Sequence, residues 1–285
     1  MHSTLNIGGI EISLDGGDGV RQTMLLPGMK VFETEEQAPQ LKIHLDSEVN
    51  DSNCRWLHQF DIVDGYAECR FGIDTDGIYR YDFGVNGQLS CDMNNLTFSL
   101  TPFHDPAVLR FALWSAYSMG SILLGRVPVH SSVAVHSANG KSRAVMCLGE
   151  SGTGKSTHTR LWLENIEGTH LLNDDSPILT IESGQAMVYG SPWSGKTHCY
   201  LREKHPVAAL IRIVQHSTNT IEPLPTLQAF GALQPSCPPC LMKDERLADM
   251  LVDFVGEVIG CTPVYRLRCL PDADAARQAY CTTMK

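Results

Sequence analysis

Residues Gly149-Glu150-Ser151-Gly152-Thr153-Gly154-Lys155-Ser156 satisfy the pattern G-x-x-x-x-G-K-[ST] at every fixed position. Glycines at this spacing let the backbone curl so that successive N–H groups face phosphate oxygens. A helix that starts at the end of the loop adds partial positive charge at its N-terminus. In such a loop Lys155 reaches the β- and γ-phosphates, and the Ser156 hydroxyl can ligate Mg²⁺. The expected nucleotide contacts are therefore Gly149, Glu150, Ser151, Gly152, Thr153, Gly154, Lys155, Ser156 and the adjoining Thr157. The expected ligand is a nucleoside triphosphate, ATP with Mg²⁺. The alternative is a chance glycine-rich turn. The flanks disfavour it: Ala144-Val145-Met146-Cys147-Leu148 is an apolar run of strand length, and a helical stretch follows through Trp162 and Leu163.

A second acidic element lies about twenty residues beyond Lys155, where His170-Leu171-Leu172-Asn173 runs into Asp174-Asp175. One carboxylate at such a strand end holds Mg²⁺, and its neighbour can take a proton from an attacking hydroxyl. Asp-Asp-Ser-Pro is also good turn chemistry, so the pair gains its meaning from the loop before it. His130 and His136 lie upstream, in a segment Val127 to Val135 and just beyond it that reads as a strand, and either could face the phosphates. Gly190-Ser191-Pro192-Trp193-Ser194-Gly195-Lys196 is a glycine-bounded loop with an aromatic residue and a cation. Trp193 and Lys196 are candidate substrate contacts there, and a plain surface turn is the alternative. Cys237-Pro238-Pro239-Cys240 has C-x-x-C spacing but no further ligands at zinc spacing. It reads as a proline-rich loop carrying two thiols.

The elements that must position these groups divide the chain of 285 residues into two expected domains, 1–105 and 106–285. The first reads as β-rich. Ile10, Ile12 and Leu14 alternate with polar neighbours, as do Leu41, Ile43 and Leu45, then Tyr79, Tyr81 and Phe83, then Leu96, Phe98 and Leu100. Asp76-Gly77 suggests a hairpin turn before the third of these. Asp105-Pro106 predicts a helix start, with Asp as N-cap and Pro in the first turn, and the helix extends to about Gly125. Its apolar residues surround most of its circumference, as in a buried connector. Leu247, Met250, Leu251, Phe254, Val255, Val258 and Ile259 share one face of a late helix that Gly260 should end, and Val264 to Leu267 reads as a last strand.

A net charge of −10 speaks against holding nucleic acid by phosphate neutralisation. The longest apolar stretch, Ala107 to Leu124, is interrupted by Arg110 and several small polar residues, so no membrane span is expected. The start, Met1-His2-Ser3-Thr4, lacks a basic region followed by an apolar run. The ten cysteines are accordingly read as reduced thiols of a cytoplasmic protein.

The stretch His130 to Lys196 resembles the HPr kinase/phosphorylase family and its relative phosphoenolpyruvate carboxykinase. The resemblance rests on Val129-His130-Ser131-Ser132 followed by the loop through Thr157, the short gap to Leu171-Leu172-Asn173-Asp174-Asp175, and Gly190 to Gly195. Pro263-Val264-Tyr265-Arg266-Leu267 adds to it. It implies an α+β chain, with an N-terminal β-rich domain followed by a kinase core on a mixed, largely antiparallel sheet. Carried over by position, His130 faces the transferring phosphate or its metal, with His136 as competitor. One carboxylate of Asp174 and Asp175 acts as base and the other serves the metal. Asp174 is the first choice for base and Asp175, with Ser156, for metal, and the order can be reversed. The family's arginine-bearing segment with its glycine-isoleucine run is replaced here by Ser191-Pro192-Trp193-Ser194-Gly195-Lys196, and the carboxykinase substrate arginines are not recognisable. The acceptor is thereby left open.

The resulting expectation is a cytoplasmic phosphotransferase. It would carry the γ-phosphate of ATP to a hydroxyl, a serine of a protein, peptide or small molecule, and could run in reverse as a phosphorylase. Homo-oligomers are common among such relatives. A catalytically silent nucleotide-binding module, a carboxykinase-like enzyme and a simple NTP hydrolase are the rival readings.

Overall fold

Six antiparallel and two parallel pairings build the first sheet, seen in a computed structural model that describes all residues except 36–37, 50–52, 64, 196 and 285. Its strands are β1 (His2–Ile7), β2 (Ile10–Asp15), β3 (Glu33–Thr34), β4 (Leu41–His44), β5 (Cys54–Ile62), β6 (Ala67–Asp74), β7 (Tyr79–Asp82), β8 (Gln88–Asp92) and β9 (Thr97–Leu100). They lie in the order β3-β1-β2-β4-β9-β8-β7-β6-β5. The β2/β4 and β4/β9 pairs are parallel, so the sheet is mixed. Helix α1 (Asp18–Leu25) follows β2, and α2 (Pro106–Ile122) follows β9.

Two local features of this unit stand where the sequence predicts them. Asp76-Gly77 does form the β6/β7 turn: Asp74 accepts the N–H of Asp76 and of Ile78, each at 2.9 Å, and Gly77 has φ +78°. Asp105 caps α2 by accepting from Ala107 N at 2.8 Å and Val108 N at 3.1 Å. The helix lies hard against the sheet, since a Cβ on Gly120 would stand 2.7 Å from Leu41 and 2.8 Å from Phe98. By contacts the chain divides after Leu124, placing α2 with the first unit, whereas the sequence reading set the boundary at 105. Residues Cys240–Ala248 return to this unit, where Tyr79 donates to Asp244 at 2.8 Å.

The second unit, Gly125–Pro239 and Asp249–Lys285, holds the chemistry-bearing motifs. It contains β10 (Arg126–Pro128), β11 (Ser131–Ala138), β12 (Lys141–Leu148), α3 (Lys155–Asn165), β13 (Thr169–Asp175), β14 (Ile178–Glu182), β15 (Gln185–Tyr189), β16 (Lys204–Gln215), β17 (Thr220–Pro223) and α4 (Thr226–Leu233). It also takes most of α5 (Glu245–Cys261), and then β18 (Val264–Cys269) and α6 (Ala273–Thr283). The strand order is β10-β14-β15-β16-β12-β11-β13, with β18 beside β16 and β17 beside β18. The β12/β16 and β16/β18 pairs are parallel and the others antiparallel. Trp162 of α3, Ile166 just after that helix, and Ala275, Ala276 and Ala279 of α6 close over Val145, Cys147, Ile211, Ile213 and Leu267, giving one buried core beneath the two helices. Both sheets are thus mixed and both carry helices, an α+β arrangement. Among the described residues no helix is long and apolar enough to cross a membrane.

Two expectations are corrected. Val127 to Val135 is not one strand. It breaks at Val129-His130, whose N–H groups donate to Pro177 O at 3.0 Å and Ser236 O at 2.7 Å instead of to a strand partner. The late helix runs through Gly260 to Cys261. A glycine in the last turn weakens a helix without having to end it.

Candidate phosphate-binding site

Strand register brings the separate motifs together. β12 leads into the loop at its C-terminal end. β11 is antiparallel to β12, with Ser132 opposite Cys147, so its N-terminal end lies there too. β13 is antiparallel to β11, with Ser131 opposite Asp175 and Ser132 opposite Asp174. The loop, the His130 break and the Asp174-Asp175 pair therefore meet at one edge of three adjacent strands.

The loop has the backbone its glycines permit. Gly149, Gly152 and Gly154 have φ of +148°, +80° and +104°. A Cβ on Gly149 would stand 2.6 Å from Thr153 Oγ1, whereas Gly152 and Gly154 face open space. Thr153 closes the turn through its hydroxyl, which donates to Glu150 O at 2.8 Å. Gly154 is the N-cap of α3 and no side chain caps that end among the described residues, so the first-turn N–H groups are left for a ligand.

Lys155 is only 8% exposed. Its Nζ donates to Gly149 O at 2.8 Å, to Glu150 O at 3.1 Å and to His130 Nε2 at 3.0 Å. Burial pulls its pKa below the ordinary lysine value, against the opposing pull of Asp175 and Asp174. His130 Nδ1 lies 3.1 Å from Asp175 Oδ1. A neutral ring that accepts at Nε2 from the lysine carries its proton on Nδ1, so His130 donates to Asp175. Ser156 donates to Asp174 Oδ1 at 2.8 Å. Asp174 is 7% exposed, whereas the side chain of Asp175 is 40% exposed. The carboxylate against Ser156 is thus Asp174, and the one open to solvent is Asp175.

The donor set fits Mg²⁺. A serine hydroxyl and a carboxylate oxygen already 2.8 Å apart are hard oxygen ligands, with a second carboxylate next in sequence. The open backbone above Gly152 and Gly154 fits a phosphate chain. A cleft of about 400 Å³ continues from the loop between Thr157, His158 and Leu161 on one side and Gln215, His216 and Leu270 on the other. It is large enough for a nucleoside.

The 190–195 loop also reaches this edge. Gly195 N donates to Asp174 O at 2.7 Å, Ser194 bridges Asp175, and a Cβ on Gly195 would stand 2.8 Å from Asp174 O. Trp193, read from sequence as a substrate contact, is 4% exposed. Its N–H donates to Ser191 Oγ and its C=O accepts from Asn173 Nδ2, so it braces the loop from inside. Lys196 lies outside the described residues. His136 sits at the far end of β11, opposite Arg143 and Thr169, with its ring against Tyr280. Cys237 and Cys240 are free and buried, with their thiols pushed up to about 12 and about 11 by burial.

Sequence reasoning passed over Asn173, whose buried amide joins β13 to the 190–195 loop. It also passed over Gln215, which donates to Gly152 O at 3.2 Å. Asn173 had a signal, a polar residue inside an apolar strand beside the acidic pair. Gln215 had none, since only the β12/β16 pairing brings it to the loop.

No protein-family model matches the chain, and no curated protein matches it. Among solved structures, the Hpr(Ser) kinase/phosphatase from Coxiella burnetii is similar over 53% of this chain and 90% of that chain, at 13% identity and a TM-score of 0.28. At that score the likeness carries no argument, and the reading of the site rests on its own residues.

Proposed function

We propose that the chain is an ATP-dependent phosphotransferase acting on a hydroxyl acceptor. The acceptor class is a serine-bearing protein, peptide or small molecule. The observation that carries this reading is the meeting of a complete phosphate loop with Lys155, His130, Asp174 and Asp175 at one sheet edge.

Mg²⁺, held by Ser156 and Asp174, would offset negative charge on the phosphates when bound. This exchanges the two aspartate roles first assigned from sequence. Lys155 would leave its loop carbonyls for the β- and γ-phosphate oxygens. His130, donating to Asp175 from Nδ1, orients that carboxylate. Asp175 accepts the acceptor's proton, the freed oxygen bonds to the γ-phosphorus, and the bond to the β–γ bridging oxygen breaks as ADP leaves. The loop around Gly195 holds the backbone of the acidic pair in place. Catalysis by such a site is mostly positioning and electrostatics.

The test is transfer from γ-labelled ATP with Mg²⁺ to serine-bearing peptides, free serine and cell extract, with Lys155→Ala and Asp175→Asn alongside. Label in an acceptor that disappears in both variants supports the reading. ATP binding without transfer to any acceptor would point to a nucleotide-binding module, and equally fast release of free phosphate to a hydrolase.

A further inference from the structure

A second cluster lies away from the phosphate loop. His170 stands near the start of β13, Glu203 just before β16 and His205 within β16. His170 Nε2 and His205 Nε2 each lie 2.9 Å from the same oxygen, Glu203 Oε2. The two rings meet edge to face at 5.8 Å. All three ligand atoms fall within 4.8 Å of one another. Three donors on a tetrahedral zinc ion, at bond lengths near 2.0–2.1 Å, are separated by about 3.3 Å. The two measured separations are about half an ångström shorter, so small side-chain rotations would admit an ion. His170 and Glu203 are partly exposed and His205 largely covered, which leaves one side open for water.

The surroundings give such an ion a job. The segment from Gly190 to Glu203 runs back along β13. Gly195 bonds Asp174, Cys199 Sγ approaches Leu171 O at 3.3 Å, and Gly190 N donates to Glu203 O at 3.1 Å. The triad is the last link of this zipper, at the opposite end of β13 from Asp174 and Asp175.

We propose that His170, Glu203 and His205 form a divalent transition-metal site of the zinc class that clamps the 190–203 segment onto β13. Two imidazoles and one carboxylate with an open position suit Zn²⁺ and exclude a preference for Mg²⁺, which takes oxygen ligands. The site is independent of nucleotide binding.

The experiment is a Zn²⁺ titration of the full chain against a chromophoric chelator, under a non-thiol reductant, for wild type, His170→Gln and Glu203→Gln. Melting with and without Zn²⁺ is recorded for each. The expected result is one equivalent bound by the wild type and weakened by about 100-fold or more in each variant. That exceeds the 10–100-fold effect of groups that only support ligands. Zn²⁺ should raise the melting temperature of the wild type alone, while all three proteins melt cooperatively without metal. Equal Zn²⁺ affinity in wild type and variants, or a Co²⁺ spectrum dominated by thiolate bands, would overturn the proposal by assigning the metal to the cysteines.

Discussion

His158 should make the second unit sensitive to mild acid. It lies one turn after the phosphate loop on α3, is 2% exposed, and lines the cleft beside the loop. Trp162 Nε1 donates to its Nε2 at 3.0 Å, which a ring protonated at both nitrogens cannot accept. Burial lowers its pKa from 6.5 to about 4. Because the folded state resists the proton, the unfolded chain binds more protons between these values. Stability is therefore full above pH 6.5 and falls as pH drops towards 4. At 1.36 kcal/mol per pKa unit the whole effect is about 3 kcal/mol, of which about 2 kcal/mol is already lost at pH 5. His158→Gln keeps an acceptor for the tryptophan and removes the titration. Urea unfolding followed by tryptophan fluorescence at pH 7 and pH 5 gives the difference between the two proteins, in which other titrating groups cancel. The wild type should lose about 2 kcal/mol more than the variant over this interval. Equal losses would refute the argument, because they would mean that His158 is protonated as readily folded as unfolded.

Two further substitutions probe the loop. Gly149→Ala places a side chain at φ +148° and 2.6 Å from Thr153 Oγ1. It should cost about 2 kcal/mol of stability or more, read by denaturant midpoint, and should weaken nucleotide binding beyond that of a neutral surface change. Ser156→Ala removes the hydroxyl that meets Asp174 and leaves the fold intact, because Ser156 is exposed. Its ATP affinity measured without Mg²⁺ should match the wild type, and the gain on adding Mg²⁺ should shrink by about tenfold, one hydrogen-bonding or ligand contact's worth.

What could be read from the sequence was what lies close along the chain. The glycine-rich turn into α3, the Asp105 cap on α2 and the Asp76-Gly77 turn each depend on a few consecutive residues, and each stands where those residues said. The break at His130 was hidden because its N–H partners, Pro177 and Ser236, are 48 and 106 residues distant from Val129 and His130 respectively by position. β5 was missed because it is an edge strand whose burial does not alternate, so its apolar residues show no period of two. The exchange of roles proposed for Asp174 and Asp175 rests on which carboxylate meets Ser156, a matter of side-chain direction. Likewise His170 and His205 are 35 positions apart, and only the path of the 190–203 segment brings them to one carboxylate.

The central claim is that the loop Gly149–Ser156 takes the phosphates of a magnesium nucleoside triphosphate, with Lys155 as their cation. Calorimetric titration of ATP with Mg²⁺ into the wild type and into Lys155→Met tests it most directly, because methionine preserves most of the buried stem and removes the ammonium group that donates to Gly149 O, Glu150 O and His130 Nε2. Charge-assisted hydrogen bonds contribute about 1.5–3 kcal/mol each, so the variant should bind roughly 10- to 100-fold more weakly while still unfolding cooperatively. A wild type that takes up no ATP in the presence of Mg²⁺, or a variant that binds as tightly as the wild type, would contradict the account.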